Sequence, residues 1–174
     1  MAQQETATAI ADANAKSLAI LRIGVGIFFF IFGEYKVFGT EFTLHGGFQG
    51  WINKFLDFGV YPFMEPVLRN FVLPHATPIA FLTAYGELAI GIALICGILT
   101  RAASACGFVF MMTLLFSSDY PGKDVAFWQY FGFSLMHSVF ALCFLAMYFG
   151  RPDAAYSVGR WWKNRQATSA RAKQ

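Results

Sequence analysis

Four stretches of this 174-residue chain are apolar for about as long as a helix needs to cross a lipid bilayer. That repetition limits the possible folds more than any other feature of the sequence. The stretches cover about 18–38, 78–99, 102–118 and 127–149. At a rise of about 1.5 Å per residue the first, second and fourth reach about 30 Å, the thickness of the hydrocarbon core, while the third must borrow flanking residues. Composition agrees. The chain is 57% hydrophobic and 13% charged, about half the charge of an ordinary soluble domain. With four spans and their loops accounted for, no room is left for a Rossmann, P-loop or other large α/β enzyme. A net charge of +3, gathered near the C-terminus, gives no extended basic face for nucleic acid.

The expected fold is therefore all-α: a four-transmembrane-helix bundle over 18–150, after a polar N-terminal segment 1–17 and before a basic tail 151–174. The tail beyond Trp162 reads as disordered. The turn Leu99-Thr100-Arg101 leaves almost no loop, so the second and third spans should form a tight antiparallel hairpin. The segment 39–77 is long and aromatic. Trp51, Phe55, Phe58 and Tyr61 recur at helical spacing, and Pro66 opens a second stretch to Leu73, which predicts two short amphipathic helices capping the bundle or lying on the membrane.

An even number of spans puts both termini on one side. That side would hold Lys16, Arg22, Arg101, Arg151, Arg160, Lys163, Arg165, Arg171 and Lys173, against Lys36, Lys54, Arg69 and Lys123 on the other. The excess of basic residues places both termini in the cytoplasm and the long segment outside. Trp161 and Trp162 beside Arg160 and Lys163 suit an inner interfacial anchor, and Tyr120, Trp128 and Tyr130 an outer aromatic belt.

Charged groups inside the apolar runs are the best functional leads, because a charge at the centre of a span costs about 2.5–3.5 kcal/mol even on mild scales and needs a partner or a wet cavity. In the first run Arg22, Gly26, Phe29, Gly33 and Lys36 share one helical face, with glycines that leave space for a facing helix or a ligand. Arg22 and Lys36 also lie near span ends, where their stems could snorkel. In the second run Glu87 lies near mid-membrane and shares its face with Gly91, with Tyr85 above it. Ala89, Ala93 and Gly97 form a separate row suited to close helix packing. In the fourth run Tyr130, Ser134, His137 and Ala141 make a polar and small stripe, and His137 falls at the depth of Glu87. Glu87 and His137 are thus candidates for a hydrogen-bonded, proton-handling pair, or for a satisfied polar pair that fixes helix register.

The remaining signals point away from common chemistries. Cys96, Cys106 and Cys143 lie in apolar runs without C-x-x-C spacing and read as packing residues. His45 and His75 stand apart with no ligand spacing, so no metal site is expected, and no C-x-x-C-H, H-E-x-x-H or G-x-S-x-G occurs.

The first run, LRIGVGIFFFIFGEYKVFG, resembles the opening of the DoxX family. The block YGELAIGIALICGILTRAAS, with Glu87, Gly91, Gly97, Thr100 and Arg101, is similar to its central signature, and FGRPDAAYSVG, with Gly150, Asp153 and Ser157, to its closing motif. The segment ending in FVLPHATPIAFL is more like the small DoxD-type subunit of thiosulfate:quinone oxidoreductase than like the shortest family members. The resemblance implies a bacterial inner-membrane protein, with Arg22, Arg101 and Asp153 in structural roles. In some relatives it further implies a place in an oxidoreductase that passes electrons from sulfur compounds to quinone. A quinone is then the expected cofactor, none being covalently bound. The expected partners are the bilayer, a redox subunit and, as an open alternative, a second copy of the chain. Tyr85, Tyr130, Ser134, Lys36 and the glycines Gly26, Gly33 and Gly91 would line the ligand site. A scaffold for a redox partner and a small-solute or proton-coupled transporter are the alternative readings.

Overall fold

The computed structural model describes residues 2–132 and 135–171, which are helical and contain no strand. The long helices are α1 (Ala2–Phe38), α5 (Ala76–Cys96) and α6 (Thr100–Ser118), each long and apolar enough to cross a membrane. Between α1 and α5 come α2 (Glu41–Leu44), α3 (Gly47–Phe58) and α4 (Glu65–Val67), the last running into a π-helical turn, Leu68–Val72. A 3-10 turn (Phe127–Phe131), α7 (Met136–Phe149) and α8 (Val158–Arg171) complete the chain.

The structure changes several boundaries. The polar start is not separate from the first span: its alanines are strong helix formers, Lys16 Nζ lies 2.7 Å from Asp12 one turn earlier, and α1 is continuous from Ala2. The fourth apolar run is interrupted. Gly132 (φ 96°) and Leu135 (φ 56°) both take left-handed backbone, which ends the first turn and leaves an α7 of 14 residues, about 21 Å long. The tail expected to be disordered forms α8, capped by Ser157 and supported by Arg165 stacked 4.5 Å from the Trp161 ring.

α1 packs along α5 and α6 along α7. The first contact runs through Gly26 and Gly33 on one side and Gly91 on the other. A Cβ at Gly33 would lie 2.7 Å from the Leu88 Cα, so the space the glycines leave is filled by the neighbouring helix and not by a ligand. Ala89, expected in the packing row, is exposed. The core is rich in aromatic and flexible side chains: Phe29 meets Phe144 edge to face with centroids 5.0 Å apart, and Phe144, Leu94 and Met147 are fully buried.

α5 closes on Gly97 (φ 69°), whose amide and that of Ile98 return to the Leu94 and Ala93 carbonyls at 3.2 and 3.0 Å. This left-handed cap makes the tight turn into α6. Above α5, a second cluster joins Phe48 and Ile52 of α3 to Leu68, Ala76 and Ala80. The buried face of α3 is therefore Phe48 and Ile52, while Trp51 and Phe58 are exposed and Tyr61 lies beyond the helix end. Of the four aromatic residues at helical spacing, Phe55 packs against this cluster.

Candidate functional site

The close approach of Gly33 to Leu88 brings the residues beside them together as well. One turn after Gly33, Lys36 Nζ lies 2.6 Å from each carboxylate oxygen of Glu87, the residue before Leu88. Glu87 is 5% exposed, so its charge is answered by this ammonium rather than by solvent. The Phe42 ring covers Lys36 at 5.0 Å, a favourable position for a cation.

A second pair forms where α6 ends. Asp119 stops α6, and the interruption before α7 sets His137 in the first turn of that helix. His137 Nδ1 donates to Asp119 Oδ2 at 2.7 Å, and the Ser118 hydroxyl donates to the other Asp119 oxygen at 3.1 Å. A Cβ at Gly132 would collide with the Asp119 carboxylate, which accounts for glycine at that turn. With Nδ1 engaged, Nε2 is the ring nitrogen left to act on anything else.

Lys36, Glu87 and His137 border one cavity of about 170 Å³ between α1, α5, α6 and α7. Its walls are Phe28, Phe29 and Phe32 of α1, Phe110 of α6 and Phe140 of α7, and Lys36, Glu87 and His137 supply its polar groups. Phe28, Phe32 and Met136 are each more than half exposed, so the cavity opens sideways between α1 and α7. An apolar cavity of about 150 Å³ holds a benzene-sized ring, which sets the scale of what fits here.

Of the residues singled out in the sequence, Glu87, His137 and Lys36 meet at this cavity. Glu87 and His137 do not bond to each other; Glu87 pairs with Lys36 and His137 with Asp119. Gly26, Gly33 and Gly91 belong to the α1–α5 contact. Tyr85 is 53% exposed and stacks on Phe81 away from the cavity. Tyr130 sits in the 3-10 turn Phe127–Phe131, its carbonyl accepting from the Tyr61 hydroxyl at 2.7 Å. Ser134 lies outside the described residues. Arg22 does not snorkel: it is fully buried, and its Nη2 donates to the Tyr156 carbonyl at 2.7 Å, with Asp153 supplying the nearby negative charge. Arg101 is exposed at the start of α6. His45 and His75 bond locally to the Thr40 and Phe71 carbonyls at 3.2 and 2.8 Å.

Asp119 and the pairing of Lys36 with Glu87 escaped the sequence reading. Asp119 stands eighteen residues before His137, and no helical periodicity links them. A spacing signal did exist for the wall, because Phe28, Phe32 and Lys36 follow steps of four along one face.

These features define a class: a helical membrane protein with a small aromatic cavity bordered at its polar end by a Lys–Glu ion pair and a His–Asp hydrogen bond. The DoxX family profile matches residues 17–118, and the chain belongs to the DoxX family. The matched stretch contains Lys36 and Glu87 and stops one residue before Asp119. No curated protein and no solved structure matches the chain.

Proposed function

We propose that this protein is a quinone-binding membrane subunit of a redox system in the bacterial inner membrane, with both termini cytoplasmic. The observation that carries the reading is the placement of Lys36–Glu87 and His137–Asp119 on one aromatic cavity. A single six-membered ring suits its volume, and a membrane-soluble chain attached to that ring could leave by the opening between α1 and α7.

The cavity's residues also fit the group chemically. Lys36 donates hydrogen bonds only, and His137 Nε2 donates or accepts according to its protonation, so the polar wall offers donors suited to a carbonyl oxygen. A bound quinone would supply the carrier of two electrons and two protons. Glu87 holds a carboxylate and Asp119 steadies the imidazole, which equips this end of the cavity to give or take protons. Electrons would come from a partner subunit acting on a sulfur compound or another reduced donor. The excess of basic residues on the side of the termini supports the topology.

A short-chain quinone should raise the melting temperature of the purified protein, because a ligand that binds only the native state stabilises it by mass action. Met136→Trp, at the half-exposed mouth, should abolish that shift and leave the unliganded melting temperature unchanged. No shift with any quinone would overturn the reading.

A further inference from the structure

We propose that α8 is a docking surface for anionic lipid headgroups, held in place by a knot of polar contacts at the end of the bundle. Ser157 makes two of those contacts. Its hydroxyl donates to the Gly97 carbonyl at 2.8 Å and accepts the Arg160 amide at 3.2 Å, so the residue that caps α8 also ties it to the end of α5. The fully buried Arg22 adds a third through the Tyr156 carbonyl, and Gly159 lies against the Gly97 carbonyl, where the absence of a side chain permits the approach. The helix therefore starts at a fixed point, where the apolar length of α5 ends.

From that point α8 carries Arg160, Lys163, Arg165 and Arg171 and no acidic residue. Val158, Trp161 and Trp162 fall on one face by the helical period, and the two indoles are 52% and 59% exposed. The surface of α8 turned to the bundle is that of Gly159, and the tryptophan face, on which Arg165 stacks over Trp161, is more than half exposed. Exposed indoles on a wholly basic amphipathic helix match a bilayer surface in two ways: Trp favours the headgroup level, and the cations favour negative headgroups. Charge complementarity selects anionic over zwitterionic lipid. Position selects lipid over a soluble acidic partner, because a helix fixed to the end of membrane-crossing helices lies within reach of the headgroups. The inference needs the chain to sit in a membrane and is independent of quinone binding.

The test uses the full-length protein in nanodiscs of phosphatidylcholine, with and without phosphatidylglycerol, and follows amide hydrogen exchange over 158–171. Exchange should be several-fold slower with phosphatidylglycerol, and the difference should vanish at high salt, where screening shortens the reach of the charges. Lys163→Gln with Arg165→Gln should remove the lipid dependence. The comparison between lipids uses the unaltered protein, so misfolding of that variant would not affect it. Equal exchange in both lipids overturns the proposal. So does protection that appears only when a soluble acidic polypeptide is added, which would assign the surface to a protein partner.

Discussion

Glu87 and His137 border the same cavity, yet each is held by a different residue: Lys36 Nζ lies 2.6 Å from the Glu87 carboxylate, and His137 Nδ1 donates to the Asp119 carboxylate at 2.7 Å. The arrangement keeps two separate polar couples at one end of an aromatic pocket. Each couple also ties together two elements, α1 to α5 and the end of α6 to α7.

Removing one member of the first couple strands the other's charge. Lys36→Met and Glu87→Gln should each destabilise the protein by about 3–5 kcal/mol, the usual cost of breaking a buried pair. The double variant Lys36→Met/Glu87→Leu should recover most of that loss. Thermal unfolding in detergent measures all three, and a double variant no better than the worse single one would show that the pair is not the source of the cost.

Gly33 tests the helix contact that sets the pair. Gly33→Leu would push the side chain into the Leu88 backbone and should cost about 1–3 kcal/mol by overpacking. The same substitution at Gly24, where an added Cβ meets nothing within 4 Å, should be close to neutral. Similar melting temperatures for the two variants would remove Gly33 from the contact.

Tyr61, in the segment above the bundle, predicts an alkaline limit. Burial holds its phenol above the ordinary tyrosine value, with the Asp119 charge adding to the effect, and its hydroxyl donates to the Tyr130 carbonyl at 2.7 Å. The neutral form is the one the fold favours. The stabilisation is therefore complete below the unfolded value of about 10 and is lost as pH rises through the higher folded value. Tyr61→Phe should cost about 1 kcal/mol at neutral pH and lessen the decline above pH of about 10. Melting curves across that range, compared between the two proteins, give the answer; parallel declines would exclude Tyr61.

Topology can be checked directly. A cysteine at the exposed Gln49 should react with a membrane-impermeant reagent from outside intact cells, and a reporter fused after Gln174 should be cytoplasmic. Labelling of Gln49→Cys only after permeabilisation would reverse the orientation.

Length and hydropathy by themselves determined the helical class and the three long apolar helices, because a backbone in hydrocarbon must satisfy its own hydrogen bonds and every long apolar run must answer that demand alike. They also marked Glu87, Lys36 and His137, since charge inside an apolar run is visible without knowing the fold. Only the tertiary structure decided their partners. Lys36 reaches Glu87 because Gly33 and Gly91 let α1 and α5 approach closely, and His137 reaches Asp119 because left-handed turns at Gly132 and Leu135 shorten α7. The same holds for Arg22, which looks like a snorkelling anchor in the sequence and is fully buried against the segment that leads into α8. Periodicity reports which residues share a face of one helix. Which faces meet depends on backbone approach and chain reversal, and neither is written in the spacing of a single run.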